Sequence, residues 1–518
     1  MKLAKSYSIS LLGLSGTLIE VEAEISSNLP SFVLVGLPDT SLSESKDRVR
    51  AAITNSGLPI PVRRITVNLS PASVKKQGSG FDLAIAVSVL AAAGSINAKS
   101  LSHMVHLGEL GLDGSLRRIN GILPSLLAAK QAGISQAIVP LANLAEGNLI
   151  DGIQVLGAEN LKQVARFHGF QIEAADLVQE TQFMEPITKP EFLVPDFSDV
   201  LGQDDAIDAL TVAAAGGHHI LMIGPPGAGK TMMAERLPGI LPKLDLQSAL
   251  ETTAVLSISG SSKSQLGNLI TTPPFEAPHH SASVSSLVGG GLGSPRPGTI
   301  SLANNGVLFL DEAPEFQQPA LEALRQPLES GEVVIARSGG VARFPAKFQL
   351  VLAANPCPCG NAVGTGRNCT CSHQQKTRYL NKLSGPLLDR VDIQLSIQPA
   401  NPAQLALAKN RESKNSAQLR EAVNSARIAA ATRLAGTPWR INAQVPGTYL
   451  RKHLSLQNDS MAKLNSALDS GRISMRGFDR CLRLAWTICD LAGREKPTTD
   501  DVAKAIFLRG QLVKDGLQ

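Results

Sequence analysis

HHILMIGPPGAGKT, residues 218–231, joins an apolar strand, a glycine-rich loop and the start of a helix. Ile220, Leu221, Met222 and Ile223 are continuously apolar, as a strand covered on both faces must be. Gly224, Pro225, Pro226, Gly227, Ala228 and Gly229 follow. Their small side chains let backbone N–H groups turn inward around phosphate oxygens. Lys230 and Thr231 then open a helix whose N-terminus adds positive field. The spacing G-x-x-x-x-G-K-T assigns Lys230 to the β- and γ-phosphates of ATP and Thr231 to Mg²⁺.

Other segments supply what that loop needs. NNGVLFLDEAPEF, residues 304–316, has an apolar strand that ends in two acids. Asp311 is placed for the Mg²⁺ shell and Glu312 for orienting and deprotonating water. QLVLAANP, residues 349–356, is a second such strand, with Asn355 as a polar sensor of the γ-phosphate. SGPLLDRVDI, residues 384–393, offers Arg390 as an arginine finger for a neighbour's nucleotide. ISMRGFDRCLRLAW, residues 473–486, puts Arg476 at a helix start, where it could close over phosphates.

The 518 residues are 43% hydrophobic and 18% charged, which suits a globular protein of about three domains. Aromatics are only 4%, so the cores must be aliphatic. A net charge of +5 permits a polyanionic partner without arguing for one. No apolar run is long enough to span a membrane, and the N-terminus lacks a cleavage-like segment. A cytoplasmic protein is expected.

The pattern divides into residues 1–175, a proline-bearing linker at 176–200, an α/β P-loop core at 201–395 and a helical region at 396–518. Within the core, CPCGNAVGTGRNCTCSH (357–373) carries Cys357, Cys359, Cys369 and Cys371. Four thiolates on one loop suit a structural, tetrahedral Zn²⁺. The Cys-x-Cys spacing is tighter than the common knuckle, so free or redox-active thiols are the alternative. His373 is a weaker fifth candidate, and Cys481 and Cys489 read as small buried residues.

These motifs, in this order with APHHSASVSSLVGGG and ANPCPCG, resemble the magnesium-chelatase-like AAA+ ATPases over nearly the whole chain. The resemblance implies a P-loop AAA+ core with a helical C-terminal lid. It also implies a homo-hexameric ring that acts as an ATP-driven branch-migration helicase on single-stranded and branched DNA. The setting it implies is natural transformation or recombination, alongside recombination proteins. A chelatase-type ATPase subunit and a protein-remodelling ATPase are the alternatives. Two departures stand out: Pro273-Pro274-Phe275-Glu276 replaces the usual Arg-Pro-Phe-Arg, and Ile207-Asp208 falls where a basic residue is common.

Residues 1–175 resemble an α+β Lon-protease-like domain of the ribosomal-protein-S5 type. Gly80 and Leu123 occupy the positions of its serine and lysine, with Ser79 one residue off, so no peptidase is expected. Lys75, Lys76, Arg117 and Arg118 form a candidate basic surface. DNA contacts are expected from Arg337 and Arg343, flanking the Ser338-Gly339-Gly340 turn of a hairpin, and from Arg296 in the glycine-rich stretch 284–298. Cross-pairing of Arg337 and Arg343 with acids at a subunit boundary is the competing reading.

Overall fold

The computed structural model describes residues 2–36, 40–74, 76, 79–171, 195–260, 267–291, 295–337, 340–362, 368–399 and 414–514. Lys75, the linker at 176–194 and the turn residues Ser338 and Gly339 lie outside the described residues.

The front domain is built on strands β1 (Lys2–Leu12), β2 (Ser15–Ser26), β3 (Ser31–Val35), β4 (Arg64–Ser70) and β5 (Met104–His106). A small hairpin, β6 (Glu109–Leu110) and β7 (Leu116–Arg117), precedes β8 (Gln136–Pro140) and β9 (Gln154–Ala158). The large sheet runs β3-β4-β2-β1-β5-β8-β9. SFVLVGL, residues 31–37, reads as a buried strand in sequence; β3 covers 31–35 of it as an edge strand, with only Phe32 of its five residues buried. The helix Asp82–Ala93 lies on β1 and β2 and is buried nearly all round. Ser6 donates to its Ala84 carbonyl at 2.7 Å. Lys76 is fully buried, and its ammonium donates to the Gly36 and Pro71 carbonyls at 3.3 and 2.5 Å. It is therefore no part of a basic surface. Arg118 is also spent, on the Ala142 carbonyl and Glu146.

The second sheet is made of β10 (Ile220–Ile223), β11 (Phe275–Glu276), β14 (Val307–Leu310), β17 (Gln349–Ala354) and β18 (Ile393–Ser396). Between them lie the small pair β12 (Gly289–Gly290) and β13 (Arg296–Pro297), and the hairpin β15 (Glu332–Arg337) and β16 (Gly340–Pro345). The sheet order is β11-β14-β17-β10-β18, all parallel. Alternate residues of each central strand enter different cores. Ile220, Met222, Val307, Phe309, Val351 and Ala353 face one. Leu221, Leu308, Leu310, Leu350 and Leu352 face the other. Covering both faces is why these strands are apolar without alternation. In the first departing stretch, Phe275 keeps the family's phenylalanine and stacks on Phe309, with ring centroids 5.9 Å apart.

The core begins at Asp196, inside the stretch read as linker. Phe197 is fully buried, and its backbone N donates to Ser416 Oγ at 2.8 Å. Ser416 starts the lid helix Ser416–Arg433, which opens with an Asn415/Gln418 capping box. The lid continues through Gly447–His453, Asn458–Asp469, Met475–Leu491 and Thr499–Lys514. It shares one apolar cluster with the face of the sheet that holds Ile220 and Phe309. Asp208, the other departure, sits between Lys504 and Lys414 at 3.8 and 4.0 Å.

Among the described residues, the front domain docks on the ATPase core at two places. The helix Ile122–Gln131 packs on the helix Leu246–Ser259, so Leu123, at the expected lysine position, is buried beside Ala254. At the second, the β1–β2 turn seats Gly13 (φ +62°) against the hairpin, where a Cβ would lie 2.8 Å from the Arg343 carbonyl oxygen.

Phe309 is 1% exposed on a central strand two residues before Asp311. Phe309→Ala should destabilise the ATPase core by about 3–5 kcal/mol. A guanidinium unfolding curve followed by tryptophan fluorescence checks this; an unchanged midpoint would contradict the two-sided packing.

Candidate active site

Parallel register brings three strand ends to one edge. The loop after β10 places Lys230, β14 delivers Asp311 and Glu312, and β17 delivers Asn355. Gly227 and Gly229 have φ of +76° and +84°, conformations that favour glycine. Gly224 is required for a different reason: a Cβ there would lie 2.3 Å from the Ile397 carbonyl oxygen. Lys230 is buried, and its ammonium donates to the Gly224 and Pro225 carbonyls at 2.7 and 2.9 Å and to Asn355 Oδ1 at 3.1 Å. Burial pulls its pKa below the usual lysine range, against the charges of Asp311 and Glu312. A bound phosphate would oppose that shift.

Thr231 Oγ1 donates to Asp311 Oδ2 at 2.8 Å, so the two candidate Mg²⁺ ligands already meet. Glu312 is one of two non-glycine residues with positive φ among the described residues, at 49°. Such strain is characteristic of positions held for function. Its carboxylate pairs with His280 Nδ1 at 3.3 Å. Sequence reading assigned His280 no role. The signal was available as a His-His pair after Ala277-Pro278, on the loop that follows edge strand β11.

The cysteines converge. Cys357 Sγ lies 3.3 Å from Cys359 and 3.7 Å from Cys369, Cys359 lies 3.7 Å from Cys369, and all four sulfurs fall within 4.8 Å of one another. Zinc–sulfur bonds of about 2.3 Å in a tetrahedron require S···S separations of about 3.8 Å. The donor set therefore fits a four-thiolate ion. Backbone N–H groups, that of Asn361 foremost, pull the Cys359 thiol down to about 6. Burial pushes Cys357 up to about 11. His373 opens the next helix and stands outside the four-sulfur group. Cys481 and Cys489 are buried in the lid.

The cysteine loop also touches the phosphate loop. Gly360 has φ +78°, and a Cβ there would come 2.7 Å from Pro226 Cδ. Tyr379, on the helix His373–Leu380, is buried and hydrogen-bonds the Asn355 backbone.

Arg390 and Arg476 are not brought to this chain's own phosphate loop. Arg390 pairs with Glu329 and donates to the Pro386 carbonyl, while Arg476 pairs with Asp389 at 2.6 Å. The two thus lie together at a separate place. Among the DNA candidates, Arg343 pairs with Glu332 on its own hairpin. The Arg337 guanidinium packs on Gly290, where a Cβ would lie 3.4 Å from Nη2. Arg296 lines a shallow cavity of about 390 Å³ with Ser283, Ser285, Ser286 and Gly290. Arg296 and Arg337 therefore share one neighbourhood.

Three family models match in chain order: subunit ChlI of magnesium chelatase at residues 21–143, magnesium chelatase subunit ChlI at 196–405, and its C-terminal region at 413–509. The chain is 47% identical over 509 residues to an uncharacterized protein of Mycobacterium tuberculosis, covering 98% of this chain and 99% of that one. It is 41% identical over 513 residues to Competence protein ComM of Haemophilus influenzae, covering 99% of this chain and 98% of that one. A local match of 29% identity over 144 residues, 27% of this chain and 26% of the other, links it to Lon protease 2 of Bacillus subtilis. With the parallel sheet, the assembled phosphate loop and acids, and a helical C-terminal region, these likenesses lead to one assignment: the chain belongs to the magnesium-chelatase-like family of AAA+ ATPases.

Proposed function

We propose that this chain is an ATP-driven DNA motor, a branch-migration helicase that works as a homo-hexameric ring in the cytoplasm. Its substrates are single-stranded and branched DNA during natural transformation or recombination, where recombination proteins are its partners. The observation that carries this reading is the likeness to a competence protein along 99% of the chain. A chelatase subunit would use the same ATPase core, and a ChlI model matches the front domain too, but the competence relative is matched along 98% of its own length. We read the front domain as a Lon-type fold without a dyad, since Leu123 is buried in the joint between domains.

In hydrolysis, Lys230 and the N–H groups of Gly227, Ala228 and Gly229 would hold the phosphates, while Thr231 and Asp311 would hold Mg²⁺. Magnesium–ATP supplies the phosphoanhydride bond and the charge neutralisation. Glu312 orients and deprotonates water, and His280 sets its carboxylate. Asn355 reads the γ-phosphate from beside Lys230. Arg390 serves a neighbouring subunit's nucleotide, and Arg476 closes over phosphates when the lid moves; here they pair with Glu329 and Asp389. Arg296 and Arg337 meet DNA phosphates without sequence preference. Arg343 contributes less, because Glu332 neutralises it.

ATP hydrolysis by the purified protein should rise with single-stranded DNA or a four-way junction. Glu312→Gln should abolish hydrolysis while nucleotide still binds. Arg296→Ala/Arg337→Ala should keep basal hydrolysis and lose the DNA response. Equal rates with and without DNA would contradict the motor.

The cysteine loop is proposed to hold structural Zn²⁺ and so to brace Asn355 and Pro226. Elemental analysis should find about one zinc per chain. Cys369→Ser should lose it, lower the melting temperature and weaken ATP binding. A metal-free protein with an unchanged melting curve after chelator treatment would overturn this.

A further inference from the structure

The segment 389–392, which carries Arg390, is gripped by the lid residue by residue. Arg476 pairs with the Asp389 carboxylate at 2.6 Å. Arg480 donates to the Arg390 carbonyl at 3.1 Å. Arg509 donates to the Val391 carbonyl. Arg480 also pairs with the Asp392 carboxylate. Three lid arginines thus hold four consecutive residues.

Asp392 is the hub. It is 2% exposed, and its second carboxylate oxygen lies 3.3 Å from His218 Nδ1. Burial would push its pKa up, but the Arg480 charge and the His218 hydrogen bond prevail and hold it well below the usual carboxylate range. His218 Nε2 in turn lies 2.8 Å from Thr487 Oγ1 on the lid helix Met475–Leu491. His218 stands just before β10, so the finger segment, the lid and the base of the phosphate-loop strand meet at one carboxylate. The Arg390 side chain has spare capacity: its Nε is buried with no hydrogen-bond partner among the described residues. Burial and the charges of Arg325, Arg476 and Arg480 pull its pKa below the usual arginine range, against Glu322 and the paired Glu329.

We propose that Arg480 is a positioning residue for Arg390, which locks the segment 389–392 to the lid so that finger and lid move as one body. This rests on the reading of Arg390 as a finger acting on a neighbour's nucleotide. Its consequence is that a lid moving over its own nucleotide repositions the finger offered to the next subunit, which links successive sites around a ring. A buried bidentate hub suits this task, since breaking it leaves an uncompensated charge rather than a loose contact.

The test uses mixed rings of full-length protein. Arg390→Ala subunits keep their hydrolytic residues but offer no finger; Glu312→Gln subunits offer a finger but do not hydrolyse. Mixing them should raise ATP turnover about tenfold or more above either alone, because a finger is worth far more than that when it is placed. Glu312→Gln/Arg480→Gln subunits should fail to rescue Arg390→Ala. A second rescue partner, Glu312→Gln/Asp392→Asn/Arg480→Gln, removes both members of the pair, so neither is left buried without the other; it should also fail while retaining assembled mass and a melting temperature near that of Glu312→Gln. Rescue by the Arg480 variants as strong as that by Glu312→Gln alone overturns the positioning role and leaves the finger intact. No rescue by Glu312→Gln itself overturns the finger reading, and this inference with it.

Discussion

Lys230 reaching Asn355 across the sheet edge, at 3.1 Å, is the contact on which the rest of the molecule depends. It exists only because β17 is inserted between β10 and β14 in parallel register. That register sets Ile223 opposite Ala354, so the residues after both strands face one point. The same register carries Asp311 to Thr231. Each strand is short, so a slip of one residue would turn every apolar side chain to the wrong core and separate all four polar groups. The two-sided apolar packing is what forbids the slip.

Around this point the other parts act as braces. The cysteine loop bears on Pro226 through Gly360 and continues into the helix that carries Tyr379 to the Asn355 backbone. The front domain bears on the β15–β16 hairpin through its β1–β2 turn and on the helix Leu246–Ser259 through an apolar joint. The lid closes the far side, with Arg433 on Asp490 at 2.7 Å and over the Trp486 ring at 4.3 Å. The phosphate loop, the cysteine loop and the β15–β16 hairpin are thus tied to the rest of the protein by direct contacts.

The nucleotide loop and the acid-bearing strand were legible in the sequence because their chemistry demands rare residues at fixed spacing. The front sheet was less so. The inward positions of β1 include Ser6, Ser8 and Ser10, which are buried against a helix of small residues, so the apolar alternation that signals a strand is weak. Lys76 looked like surface because sequence cannot reveal carbonyls waiting in a buried pocket. His280 was hidden because its partner Glu312 lies 32 residues away and on another strand. The arginines that hold the segment 389–392 come from about 90 to 120 positions further on, where local pattern carries no record of them.

A junction-migration assay reaches the proposed motor most directly. A four-way DNA junction with homologous arms and one labelled strand is incubated with the full-length protein and ATP, beside Glu312→Gln. ATP-dependent conversion of the junction to its duplex products by the wild type alone is the expected result. A wild-type protein that hydrolyses ATP and binds the junction yet leaves it unchanged would contradict the branch-migration function.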